Sequence, residues 1–155
     1  MGVIRVDDID MAIVRRLAVH GRVSLNELSE EVGLSPTPVS RRIRQLEAEG
    51  IITGYHAKLD ETALGFPVSV FVSVRLDKQV DEALAVFEAA INRFPEVVDC
   101  WLMTGNRDYL MRVATRDLAD FERFLTQQLT RVKGVAAIES SIPLRRVKAM
   151  PARTP

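Results

Sequence analysis

Arg41, Arg42 and Arg44 stand with Thr37 and Ser40 in SPTPVSRRIRQL, residues 35–46, a stretch without an acidic side chain. Guanidinium forks and hydroxyls are donors matched to phosphate oxygens and guanine edges, so the chemistry on offer is non-covalent recognition of a polyanion. Groups suited to making and breaking bonds are scarce. The chain has two histidines, His20 and His56, and one cysteine, Cys100; it has no HExxH or CxxC spacing and no clustered carboxylate pair to signal a metal site. His20 precedes the glycine that ends a helical pattern, where it serves as a charge partner for the helix C-terminus. His56 follows Tyr55 in a connector, and Cys100 lies mid-strand with no histidine near it in sequence. No cofactor and no metal are expected.

What the arginines do depends on the helices that carry them. DDIDMAIVRRLAVHG begins with Asp7, Asp8 and Asp10, suited to the positive end of a helix, and stops at Gly21; Ile9, Ile13 and Leu17 form its buried stripe. In SLNELSEEVG, Ser24 and Glu27 have capping-box spacing, Leu25, Leu28 and Val32 point inward, and Gly33 ends the helix. Ser35 is then placed to cap a third helix, with Pro36 at its first position and Pro38 still inside its first turn. On a wheel of about 100° per residue, Ile43 and Leu46 fall within about 40° of Val39. Thr37, Arg41 and Arg44 lie opposite, Pro38, Ser40 and Gln45 on the flanks, and Arg42 near the edge of the buried stripe. Two short helices joined through a glycine, the second with a small polar and basic outer face, make a helix-turn-helix pattern. A small helical bundle with a solvated arginine face fits this segment alone equally well.

The pattern after Gly50 changes. Ile51, Ile52, Tyr55, Ala57 and Leu59 read as short extended pieces around Gly54, a candidate wing and connector. VSVFVSVRL alternates, with Val68, Val70, Val72, Val74 and Leu76 on one side and Phe71 on the other. A helix with Val80, Leu84, Phe87 and Ile91 follows, then two strands, VVDCWLMTG and DYLMRVAT, joined by a tight turn at GNR. A helix with Leu118, Phe121, Leu125 and Leu129, and a last strand VAAIESSIPL, complete strand-helix-strand-strand-helix-strand. That order predicts a ferredoxin-like βαββαβ domain and an α+β chain, with residues 1–52 a winged helix-turn-helix, 53–66 a connector and 67–155 the second domain. Two helices cover one face of such a sheet, and apolar residues on both faces predict association through the open one.

Composition constrains the setting. No apolar run approaches the roughly 18 residues of a membrane span, the N-terminus lacks a secretion signal, and one cysteine allows no internal disulfide, so a cytoplasmic protein with no membrane partner is expected. Lys plus Arg equals Asp plus Glu at 21 each, and residues 1–64 hold eight basic against ten acidic side chains. Positive charge is therefore local: one helix, and the stretch Arg145, Arg146, Lys148 and Arg153.

Taken together, LSEEVGLSPTPVSRRIRQLEAEGIITGYHAKLD, then Leu64-Gly65, TGNRDYLMRV and GVAAIESSIPLRRVK resemble the leucine-responsive regulatory protein/AsnC, or feast/famine, family over residues 6–148. The resemblance implies a sequence-specific DNA-binding transcriptional regulator that forms homodimers and often octamers of four dimers. It implies that the helix after Ser35 is the recognition helix, with Ser35, Thr37, Pro38, Ser40, Arg41 and Arg44 near double-stranded DNA on a roughly palindromic operator. For Arg42 it leaves a phosphate contact or an intramolecular partner. It places a small-molecule effector, an amino acid, around MTGNRDY. Main-chain amides near Gly105 and Asn106 would take the effector carboxylate and Asp108 the ammonium, with Met103, Thr104, Gln128 and Ser140 as further candidates. Glycine, asparagine and aspartate are also what any hairpin turn uses.

Two other functions fit parts of this pattern. Some tetrapyrrole (sirohaem-type) decarboxylases share the two-domain architecture, but that chemistry asks for cations around several carboxylates and a histidine acid, which His20 and His56 are poorly placed to supply. An effector-binding oligomer without DNA binding would suit the acidic balance of residues 1–64 and not the basic helix.

Overall fold

The computed structural model describes residues 6–149, 152 and 153, so the opening MGVIR, part of the stretch read for a leader, lies outside the described residues. The chain divides into two compact units, Met1–Lys58 with Val147–Pro155, and Leu59–Arg146.

In the first unit α1 (Asp8–Val19), α2 (Leu25–Val32) and α3 (Pro36–Ala48) pack around Ile13, Leu28, Val39 and Leu46. Asp7 and Asp10 form a capping box at the start of α1, and Ser24 and Glu27 form another at α2, each satisfying orphan amides in both directions. Gly33 ends α2 at φ 69°, a left-handed conformation that favours glycine. Ser35 occupies the cap position of α3 without a side-chain cap bond. Pro38, at the third helical position, lacks the amide that a capping serine commonly takes. The extended pieces expected after Gly50 do not pair: residues 51–67 carry no strand, and Ile51 and Ile52 turn back onto the helical core.

The second unit holds β1 (Val68–Leu76), α4 (Asp81–Ile91), β2 (Val97–Leu102), β3 (Tyr109–Thr115), α5 (Leu118–Gln127), a 3-10 turn at Leu129–Arg131 and β4 (Val135–Ser141). The sheet order is β2-β3-β1-β4, and all three strand pairs are antiparallel. Val70, Val72, Val74, Met111 and Val113 line the face that packs on Phe87 and Ile91 of α4 and Phe121 and Phe124 of α5. Phe124 was not anticipated as core; Leu118, read as part of the stripe, is exposed at the first turn of α5.

By register, the other face carries Phe71 and Ser73 of β1, Leu110 and Arg112 of β3, Trp101 of β2 and Glu139 of β4. Trp101 is 46% exposed. Arg112 makes a two-pronged pair with Glu61, at 2.8 and 2.9 Å, so part of the expected connector is tied to the sheet. The end of the expected second domain also differs. Val147–Pro155 groups with the first unit, and nothing apolar holds the strand's continuation to the sheet, since Ile142, Leu144 and Val147 are all exposed.

Candidate functional site

The 13 residues of α3 separate into two faces. Val39 and Leu46 are buried and Ile43 packs beside them, which leaves Thr37, Arg41 and Arg44 exposed as the wheel requires. Pro38 and Ser40 are half-buried on the flanks. Arg44 donates to the Ser40 hydroxyl at 3.2 Å, one turn back, and keeps its charge unneutralised by that contact.

Arg42 is different. Its Nη1 donates to Asp7 and to Asp10, both at 2.7 Å, so it spans from α3 to the capping box of α1. Between the two roles left open for it, the intramolecular one is observed. The Asp10 backbone amide and then the Arg42 guanidinium hold the Asp7 carboxyl below its ordinary range, and the two aspartates push Arg42 up. Tyr55 closes the other end of α3 by donating to Glu47 at 2.9 Å; burial and that carboxylate push its phenol up to about 12.

In the second unit the β2–β3 connection runs from Met103 to Asp108, longer than a tight GNR turn, and is closed by the Met103 amide donating to the Asp108 carbonyl at 2.8 Å. Met103, Thr104, Gly105 and Asn106 are exposed, and Gly105 adopts φ 109°, a conformation side chains resist.

Asp108 is not exposed with them. It is 4% exposed, and its two carboxylate oxygens accept from the Leu76 amide and the Gln79 side chain, each at 2.6 Å. Its own amide donates to the Val74 carbonyl. The carboxylate expected to meet an ammonium is thus committed to the turn's own attachment to β1. Arg107, which sequence reasoning passed over, donates to Ser73 at 2.9 Å and to Glu139 at 2.7 Å, and so joins the turn to β1 and β4. Long-range pairs of this kind leave no local spacing in the sequence.

Gln128 is not brought to the turn within one chain, whereas Ser140 adjoins Glu139, the residue that Arg107 of the turn reaches. Gln128 donates to Glu96 at 3.0 Å. The Glu96 carbonyl accepts from Ala114, at the end of β3 away from the turn, roughly 16 Å along the strand from Tyr109 at about 3.3 Å per residue. Ser140 is exposed on β4 opposite Val72. Cys100 pairs in register with Met111 and is exposed; partial desolvation by its neighbours and then Glu88 push its thiol up to about 11, which opposes a nucleophilic role. Among the described residues no helix is long and apolar enough to cross a membrane.

Residues 69–152 match the Lrp/AsnC ligand binding domain and residues 6–53 a winged helix-turn-helix DNA-binding domain. The chain is 50% identical over 141 residues to the Bkd operon transcriptional regulator of Pseudomonas aeruginosa, covering 91% of this chain and 92% of that one. It is 36% identical over 142 residues to the leucine-responsive regulatory protein of Salmonella typhimurium, covering 92% and 87%. Among solved structures it is similar to a transcriptional regulator of Neisseria meningitidis in complex with L-methionine, with a TM-score of 0.89, 34% identity and 94% of each chain covered. With outward arginines on a helix-turn-helix, a ferredoxin-like second unit and both domain matches in chain order, this chain belongs to the Lrp/AsnC family of DNA-binding transcriptional regulators.

Proposed function

We propose that the chain acts as a homodimer, assembling further to an octamer, that binds a roughly palindromic operator through two copies of α3 and changes DNA affinity or assembly on binding an amino acid. The observation that carries the DNA part is the division of α3: Val39 and Leu46 hold it in the unit, Arg42 is neutralised internally, and Thr37, Ser40, Arg41 and Arg44 remain on the outward side. Arg41 and Arg44 are assigned to guanine edges or phosphates, Thr37 and Ser40 to phosphates or base edges, and Ser35 and Pro38 to the close approach of the helix start. Ser35, free of a cap bond, keeps its hydroxyl for a phosphate.

Support for the effector comes from the similar Neisseria regulator, whose structure holds L-methionine, and from the exposed turn amides at Gly105 and Asn106. Those amides, with Thr104 and Met103, are assigned to the effector. Asp108 is assigned to holding the turn, and Gln128 and Ser140 to a site completed by other copies. The open sheet face, with Phe71, Leu110 and Trp101, supports the dimer. Relatives named as transcriptional regulators favour binding over catalysis, and action on DNA supports a cytoplasmic protein.

The test is selection from random duplexes with the purified chain, with and without pooled amino acids. We expect one enriched motif with two related half-sites about one helical turn apart, lost in the Arg41→Ala plus Arg44→Ala variant and shifted in affinity by an amino acid. Absence of enrichment would falsify the regulator reading; enrichment that persists in the double variant would remove α3 from base contact.

A further inference from the structure

The stretch beyond β4 carries the basic residues Arg145, Arg146, Lys148 and Arg153 and no acid between 145 and 153. Although it follows the sheet unit in sequence, Val147–Pro155 groups with the helical unit. That grouping alters the electrostatics of the DNA-binding unit. Residues 1–58 hold eight Lys and Arg against eight Asp and Glu, a neutral unit facing a polyanion. Adding 147–155 contributes Lys148 and Arg153 and no acid, so the unit carries a net formal charge of +2, while residues 59–146 carry the compensating −2. The neutrality of the whole chain hides this division.

These four cations are also available. Each is exposed, and among the described residues none has a hydrogen bond or ion pair, in contrast to Arg16, held by Glu31, and Arg42, held by Asp7 and Asp10. Pro143 ends the strand pattern, and the exposed Leu144 and Val147 show that apolar burial does not tether the segment. Lys148 and Arg153 belong to the DNA-binding unit, and Arg145 and Arg146 close the sheet unit just before it in sequence; free cations in such a run fit a sugar-phosphate backbone, which is read by charge and not by side-chain packing.

We propose that Arg145, Arg146, Lys148 and Arg153 form a second set of DNA contacts, which grips backbone phosphates and adds affinity without sequence preference. This rests on the DNA-binding reading above. The occupant is duplex DNA; a second copy of the chain, covering Leu144 and Val147, is the competing outcome.

The experiment uses the full chain carrying Arg145→Gln, Arg146→Gln, Lys148→Gln and Arg153→Gln together. Affinity is measured across a potassium chloride series on a selected operator duplex and on a duplex of unrelated sequence, with sedimentation of each protein alongside. Each lost phosphate contact lowers the slope of log affinity against log salt by about 0.9, so for four contacts we expect a fall of about 3.6 per chain and at least a tenfold loss near 0.1 M salt on both duplexes. The selected motif and the sedimentation coefficient stay as in the parent. An unchanged slope on both duplexes overturns the proposal, and so does an unchanged slope with an altered assembly state, which assigns the segment to a contact between copies. Failure of the DNA-regulator reading is seen separately, as no motif from the parent protein, and the unrelated duplex still reads these contacts in that case.

Discussion

Arg42 and Arg44 are two positions apart on one helix and have different roles. The guanidinium of Arg42 meets two carboxylates and sits against α1, so Arg42→Met should destabilise the helical unit, though less than loss of a buried pair would, because water screens the charges. Arg41→Ala and Arg44→Ala should leave stability within about 0.5 kcal/mol and lower DNA affinity. Urea denaturation alongside duplex binding separates these outcomes, and a stable Arg42→Met variant with lost DNA binding would reverse the assignment. Asp108 gives a second contrast. Its replacement by alanine strands the buried Leu76 amide, at about 1–3 kcal/mol for one unsatisfied group, while the exposed Gln79 side chain can turn to water, so the variant should be destabilised whatever its effector response. A melting temperature equal to the parent's would refute the buried role. Arg42 and Asp108 mark what was readable at this scale: the helical wheel put Arg42 at the stripe's edge, but partners 32 and 35 positions away, or 32 for Asp108 and Leu76, have no signature in one sequence.

Helices and strands were largely legible because their periods repeat. The capping box at Ser24, the acids at the start of α1, the glycine that ends α2 and the alternation of β1 all follow from local residue chemistry, while the box that Asp7 forms with Asp10 emerges only in the structure. Ser24→Ala should cost about 1 kcal/mol, read as an earlier urea midpoint, whereas Ser35→Ala, at a cap position without a cap bond, should cost much less. Equal losses at the two serines would show that Ser35 caps α3 after all. The departures have local causes as well. Pro38 removed an amide at the start of α3, and the β2–β3 turn extends to Asp108 because β1 and β4 anchor it through Asp108 and Arg107. Residues 51–67 had alternation too short to choose between a wing strand and a return to the core; Ile51 and Ile52 return. At Gly105, where φ is 109° and a new Cβ would meet nothing within 4 Å, alanine should cost about 1 kcal/mol in backbone strain alone. Any larger loss of effector response in Gly105→Ala then reports on the turn's shape.

At the level of the whole molecule, assembly and charge distribution were legible only in part. Alternation in β1 predicted a sheet apolar on both sides, and register brings Phe71, Leu110 and Trp101 to the open face. Trp101→Glu places a charge there and should weaken the dimer at least tenfold by sedimentation equilibrium, as burying an unpaired charge does; an unaltered dimer would move the interface elsewhere. Glu61 and Arg112 lie on the same side, and the guanidinium holds the Glu61 carboxyl below the ordinary glutamate range. A lowered folded pKa means that the pair's contribution, up to about 1 kcal/mol, is present above the unfolded value and is lost as pH falls through the folded one. The stability gap between the parent and Glu61→Gln should therefore be measurable at pH 7 and close towards pH 3.

The grouping of Val147–Pro155 with the first unit also orders events in time. During translation the three helices emerge before the sheet unit and can fold on their own core, but the segment that gives their unit its positive charge is made only after all of Leu59–Arg146. A nascent chain would hold a formed recognition helix on a neutral body, and would gain its full attraction for DNA only once the sheet unit behind it had been synthesised.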